Sequence, residues 1–344
     1  MASSVPSDKP ALRVLHVTSM FPTAAQPSAG SYVETLVRGL ETLRVRQEVM
    51  AIPYGGPKGK YWRVARQIRE LAQRDRFDLV HAHYGLAGWA AMWHSLPLVI
   101  TYAGSDLAGV AGPIARRLRG RLEVALSHWA GLRADRVIVV SQRMLALLRL
   151  RDLRSKAVVL PYGIDTKRFA PGSREHARRV LGLGSHEKIV LWPHADRPVK
   201  RRDLAEAAVA EARRAIPELR LWKPPALAGE EMPLCYHAAD CLLLMSDSEG
   251  SPTVVKEALS TALPVIGVDV GDVWEWIGRV AWCRRVGRDP RDVAQAIVEV
   301  VRGEPPPTPP RWISAFDVTA TAQRLLEVYA TVLTDHERCR GVAT

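Results

Sequence analysis

The chain alternates between short runs of β-branched and aliphatic residues and longer stretches in which apolar positions recur every three or four residues. LRVLHVTSM (12–20) is the first such run. A Pro/Ser/Gly-rich loop follows it, and SYVETLVRGLETL (31–43) then switches to helical spacing. The unit returns with EVMAIPY, FDLVHAH, PLVITYAG, DRVIVVS and KAVVLPYG as strands, each separated from the next by a segment able to form a helix. Such alternation predicts an α/β fold in which helices cover both faces of a parallel sheet. A polar stretch with Pro and Gly runs from Gly163 to Gly184, after which the alternation restarts with KIVLWP, LRLWKP, CLLLMS, LPVIGVD and VAWCRRV. The pattern therefore predicts two domains, 11–165 and 166–310. EPPPTPPRW (304–312) is too rich in proline to continue a helix, so 311–344, with the helical TAQRLLEVYATVL, is expected to return to the first domain. The polar start 1–10 is expected to be a disordered leader.

A length of 344 residues is enough to bury two cores. The formal charge of +12 favours a polyanionic neighbour: a nucleic acid, an anionic membrane face or a phosphorylated substrate. Cys235, Cys241, Cys283 and Cys339 show neither a C-x-x-C pair nor zinc-ligand spacing, so no disulfide framework and no metal are expected. The first ten residues lack the apolar core of a signal peptide, and no apolar run approaches the roughly 18 to 20 residues of a spanning helix. The expectation is a cytoplasmic protein with at most peripheral membrane contact.

The most informative segment is DSEGSPTVVKEALSTALPVIGVDVGD (246–272 without its first serine). A strand ends in a polar loop there, and a helix is expected to begin near Pro252. Its free N–H groups, from Ser251, Thr253, Val254 and Val255, make an anion site that suits a phosphate. Glu249 and Glu257 stand eight residues apart, one before the helix and one inside it, and can accept hydroxyl hydrogen bonds at two points of an extended ligand such as a sugar and a ribose. Surface glutamates at a solvated helix start are the plainer alternative. In WPHADRPVKRRDLAEAAV, Arg197, Lys200, Arg201 and Arg202 fall between a strand and a helix, where cations can neutralise a diphosphate.

EGSPTVVKEAL followed by LPVIGVDVGD resembles the donor-site signature of family 4 glycosyltransferases, which are retaining enzymes of the GT-B fold. The likeness covers nearly the whole chain. MPLCYHAADCLLLMSDSEG resembles the strand leading into that site, and PYGIDTKRFAP resembles the interdomain segment, with Tyr162 where the family usually has Asn. SMFPTAAQPSAGSYVETLVRGL resembles the glycine loop and first helix, with Gly30 at the loop's end. The resemblance implies two Rossmann-like domains facing across a cleft, with sugar transfer from a nucleotide diphosphate sugar to a hydroxyl acceptor, without metal or cofactor. Carried over, Glu249 contacts the donor sugar and Glu257 the ribose, while Gly30, Gly250, Ser251, Pro252, Thr253 and Val254 line the donor. Lys200 and Arg197 stabilise the leaving diphosphate, although they stand three positions apart where the family has five. VITYAGSDLAG resembles a loop that often reads H-G-x-D; Ala103 replaces the histidine, Asp106 keeps its catalytic-site position, and His83 of HAHYGLAG is a candidate cleft residue. These departures motivate an alternative, a nucleotide-sugar-binding regulator or assembly partner that has lost transfer. The absence of G-x-G-x-x-G counts against a dehydrogenase. DRPVKRRDLAEAAV with EGSPTVVKEAL most resembles the subgroup of bacterial cell-surface polysaccharide assembly.

Residues 112–156 hold eleven Arg or Lys against three Asp or Glu. IARRLRGRLEVALSHWAGL also carries apolar residues at helical spacing, so this segment is a candidate contact with an anionic membrane and a lipid-linked acceptor. A solvated arginine face over a core helix is the alternative. Nucleic acid is disfavoured because no recognition motif accompanies the charge.

Overall fold

A computed structural model describes residues 12–23, 29–53, 59–74, 76–109, 113–194, 196–224, 231–304, 306 and 308–341. The leader expected at 1–10 and much of the loop before Gly30 lie outside them. The first sheet contains β1 (Arg13–Thr18), β2 (Arg46–Ala51), β3 (Leu79–His83), β4 (Leu98–Tyr102), β5 (Arg136–Val139) and β6 (Ala157–Val159), in the order β2-β1-β3-β4-β5-β6. Its helices are α1 (Ser31–Thr42), α2 (Lys60–Gln73), α3 (Gly85–Ala91), α4 (Ser105–Ala108), α5 (Ile114–Arg133), α6 (Gln142–Leu147) and α7 (Arg151–Ser155). The second sheet contains β7 (Lys188–Leu191), β8 (Leu219–Trp222), β9 (Cys241–Leu244), β10 (Val265–Gly267) and β11 (Arg284–Arg285), in the order β11-β10-β9-β7-β8. Around it run α8 (Arg174–Val180), α9 (Arg202–Ala212), α10 (Met232–Ala238), α11 (Thr253–Ser260), α12 (Val273–Ile277) and α13 (Pro290–Arg302), and α14 (Val318–Gly341) closes the chain.

All pairings within both sheets are parallel. Every residue of β3, β4 and β9 is buried, which is why these runs read as unbroken apolar stretches rather than alternating ones. Helix α14 packs on α1 and the first sheet, placing Leu325, Tyr329 and Val332 in one cluster with Leu36 and Leu40. Gly39 permits the contact, because a Cβ there would sit 2.7 Å from Val318 Cγ2. Among the described residues no helix is long and apolar enough to cross a membrane.

Under α14 lie His16, His81 and His83, all buried and within ligand distance of one another. Parallel register puts His16 beside His81 and Thr18 beside His83, so the two-residue strand period sends all three rings to one face. His16 Nδ1 is 3.0 Å from His83 Nε2, and His16 Nε2 is 2.9 Å from Gln47 Oε1. His81 meets Tyr329 Oη at 2.6 Å and Thr101 Oγ1 at 2.7 Å. Burial lowers the pKa of all three, that of His16 to about 4. This corrects the placement of His83 in the cleft: it is 1% exposed and its ring belongs to this cluster. Because the folded pKa of His16 lies below its unfolded value of 6.5, the unfolded chain protonates first as pH falls. The stability held by neutral His16 is complete above pH 6.5 and drains away towards pH 4, by about 3 kcal/mol. We expect a His16→Gln variant to lose less stability than the parent over that window in denaturant titrations at stepped pH; parallel curves would show that His16 is not a source of the acid limb.

Candidate functional site

Ligands of open parallel sheets sit beyond the carboxyl ends of the strands, and here those ends of the two sheets meet. Ala103, just past β4, faces the loop after β9: a Cβ on Gly250 would lie 2.0 Å from the Ala103 carbonyl oxygen. Gly271 closes on Gly250 from the other side, its own φ being +56°. A side chain at position 250 would drive these loops apart. Beside this contact, Arg143 of α6 donates to the Asp269 side chain at 2.5 Å and to its carbonyl at 3.1 Å, while Arg285 approaches the same carboxylate at 3.0 Å.

On the second-domain wall, Lys200 ends a short 3-10 turn, Pro198–Lys200, and donates to Glu249 Oε1 at 2.6 Å. Both side chains are mostly buried. An ammonium has three protons, so this contact leaves Lys200 further donor capacity. Arg197 caps the same turn and is exposed; among the described residues it forms no ion pair. Arg201 and Arg202 are taken up elsewhere, Arg201 with Asp203 and Asp247, Arg202 with Asp196 and Glu206. Of the basic cluster, then, Lys200 is the one that pairs with Glu249, Arg201 reaches Asp247 at the start of the same loop, and Arg197 lies near His194.

Helix α11 starts at Thr253 with Pro252 as its N-cap, one residue later than a first-turn proline would place it. Glu257 lies in its second turn and is held by the Tyr236 hydroxyl; desolvation raises its pKa. Ser251 does not turn its hydroxyl to the cleft: Oγ donates to Asp272 at 2.6 Å and accepts from Lys256 Nζ at 2.7 Å. Only its backbone is left for a ligand. Lys256, fully buried, also donates to the Tyr162 carbonyl at 2.8 Å. Tyr162 belongs to the segment between the sheets, so one ammonium joins that segment to the loop of Gly250.

Two further expectations change. Asp106 is fully buried and accepts from the backbone N–H groups of Ala103, Gly104 and Gly85 at 2.8 to 3.3 Å. Burial raises its pKa to about 6 against those hydrogen bonds. Its carboxylate shapes the Ala103 loop and does not reach the cleft, which corrects its catalytic assignment to a positioning one. Gly30 caps α1 with φ +68°, and a Cβ there would fall 2.1 Å from the Met20 carbonyl oxygen. Its smallness is required by its own loop.

His194, which the sequence reading passed over, lies between β7 and the turn of Arg197 and Lys200. It is buried, its Nε2 has no hydrogen-bond partner among the described residues, and burial with the two nearby cations lowers its pKa to about 3. Lys256, Asp272 and Tyr236 were also missed. A histidine three residues past a strand and just before a basic turn was the available signal for His194; the others depend on tertiary neighbours.

Two family descriptions match the chain: Glycosyltransferase Family 4 over residues 21–168 and Glycosyl transferases group 1 over residues 197–302. The D-inositol 3-phosphate glycosyltransferase of Geodermatophilus obscurus is 29% identical over 280 residues, covering 68% of this chain and 62% of that protein. The chain spans about half to two thirds of the length of the curated relatives it matches first. Among solved structures, sucrose-phosphate synthase from Thermosynechococcus elongatus aligns with a TM-score of 0.69 at 18% identity, over 96% of this chain and 99% of that one. Anabaena HepE, solved with UDP and glucose, aligns with a TM-score of 0.68 at 16% identity, over 93% and 99%. The fold is GT-B, and the chain belongs to the family 4, group 1 glycosyltransferases.

Proposed function

We propose that this protein transfers a sugar from a nucleotide diphosphate sugar to a hydroxyl acceptor, with retention of configuration and without a metal. The observation that carries the reading is the Lys200–Glu249 pair beside the start of α11, with Glu257 one turn further on. In this reading Glu249 holds the donor sugar, Glu257 the ribose, and the backbone from Gly250 to Val254 the sugar and diphosphate. Lys200, aided by Arg197, stabilises the departing diphosphate, whose oxygen accepts the acceptor's proton; that route needs no protein base and is compatible with Ala103. HepE was solved with UDP and glucose, so uridine nucleotides head the panel of donors to test. The family resemblance supports a place in bacterial envelope polysaccharide or glycolipid synthesis, at the inner face of the cell membrane.

Thermal unfolding with uridine, guanosine and adenosine diphosphates and their sugars tests the donor site, because a ligand that binds only the folded state raises its midpoint. One nucleotide is expected to shift the parent. In Glu257→Ala the affinity is expected to fall about ten- to a hundredfold, the worth of a hydrogen bond to a charged acceptor. No shift with any nucleotide would remove the donor assignment. Shifts without turnover in any acceptor mixture would favour the non-catalytic regulator, for which Ala103 and the close spacing of Arg197 and Lys200 speak.

A further inference from the structure

Helix α5 is built inside out. The side that packs on the domain carries small residues: Gly120, Ser127, Ala130 and Gly131 are buried. The approach there is close, since a Cβ on Gly85 would lie 1.9 Å from Ser127 Oγ and one on Gly131 2.4 Å from Tyr102 Oη. The large apolar side chains point the other way. Ile114, Leu118, Leu122, Trp129 and Leu132 are 69, 58, 59, 45 and 41% exposed. With exposed Ala125 they recur every three or four residues, so they form one unbroken stripe down the outer face. A helix that merely needed solvation would place its polar residues there.

The stripe continues onto α2. Trp62, 60% exposed, lies 5.9 Å from the Trp93 ring, and Trp93 lies 5.7 Å from Trp129. Cations flank it: Arg116, Arg117, Arg119 and Arg121 on α5, Arg63 and Arg66 on α2, all exposed. The acids within the two helices, Glu123 and Glu70, are each paired to an arginine of the same helix at 2.9 Å. Position follows from length. A five-residue strand spans about 17 Å and a 20-residue helix about 30 Å. Helix α5 ends three residues before β5 begins, level with the strand starts, so its excess length projects at its beginning, on the cleft side.

We propose that this face of α5 and the start of α2 dock on an anionic lipid bilayer. The placement beside the cleft mouth builds on the transfer reading above; the surface itself does not depend on it. A second copy of the chain is disfavoured because a two-fold interface would set the arginine rows against each other. A nucleic acid answers the arginines and leaves the aliphatic stripe without a partner. A bilayer takes both, with leucines at the acyl boundary, tryptophans at the interface and arginines among anionic headgroups.

Flotation of the full chain with phosphatidylcholine vesicles, with and without phosphatidylglycerol, tests this. The parent is expected to bind the anionic vesicles and to bind neutral ones far more weakly. Arg116→Gln with Arg117→Gln is expected to lower anionic binding by more than tenfold, at roughly fivefold per basic residue. Leu118→Ser with Leu122→Ser should also lower it at least several-fold, while nucleotide-induced thermal shifts stay as in the parent for both variants. Absence of parent binding, or full binding by both variants, overturns the docking surface while intact thermal shifts leave the transfer reading standing. Binding to an oligonucleotide that competes with vesicles and ignores the leucine changes assigns the face to nucleic acid and overturns the proposal.

Discussion

Lys256→Ala is expected to cost about 3–5 kcal/mol of folding stability, the loss typical of removing one partner from a buried charged network. Lys256 is fully buried, with Nζ on the Tyr162 carbonyl and Ser251 Oγ and with the rings of Trp276 and Phe316 at 5.9 and 5.5 Å. Burial lowers its pKa from 10.5 to about 8, while Asp272 and Glu257 act to raise it. The folded pKa lies below the unfolded one, so between pH 8 and 10.5 the unfolded chain holds more protons and stability rises with pH through that window. Holding the ammonium charged at neutral pH is therefore itself unfavourable. The loss in Lys256→Ala comes from what remains: Asp272 without its countercharge, the Tyr162 carbonyl without its donor, and an unfilled space. Lys256→Met, which keeps most of the volume, should lose less, and adding Asp272→Asn to it should recover part of the remainder. Denaturant titration of the three variants reads this directly. A Lys256→Ala midpoint within error of the parent would show that the network does not hold the Gly250 loop to the interdomain segment.

The fold was legible because parallel sheets bury their strands on both faces, so β3, β4 and β9 stand out as apolar runs between helical stretches. The loop of Glu249 and the start of α11 after it were legible because the strand end, glycine and proline that set them are local. Lys256 was not, since a lysine in the first turns of a helix ordinarily reaches water. Tyr162, Asp272 and Phe316 bury it here, and all three are remote in sequence or lie outside α11. His83 misled for a simpler reason: a histidine at the end of a strand suggests a cleft residue, yet its spacing from His81 places it on the same face as His16. Asp106 shows the same limit, because a carboxylate that binds a ligand and one that binds its own loop's N–H groups look identical in a short motif. The spacing of Arg197 and Lys200 looked irregular in sequence. In the fold the 3-10 turn puts Arg197 at its cap and Lys200 at its end, and of the two it is Lys200 that meets Glu249.

In Lys200→Ala the turnover number is expected to fall about 10²–10³-fold, the usual loss when a charge-stabilising donor is removed from a preorganised site. The argument is one of timing. A nucleotide diphosphate sugar already carries charge on its phosphates, and cleavage of the sugar bond adds more to the leaving oxygen. A cation fixed in advance then gains energy in the transition state without reorganising. Lys200 is fixed in that way by Glu249 at 2.6 Å in a largely buried setting. Arg197, exposed and without an ion pair among the described residues, lacks this preorganisation, so Arg197→Ala is expected to have the smaller effect on turnover. Glu257→Ala should behave oppositely to Lys200→Ala, weakening nucleotide binding more than it slows the bound complex. Release of nucleoside diphosphate, followed at saturating and limiting donor, separates the two cases. If Lys200→Ala raises the donor's KM and leaves turnover intact, Lys200 binds the ground state only and the leaving group must be stabilised by the α11 amides and Arg197. Unchanged release in both variants would place the chemistry away from this loop altogether.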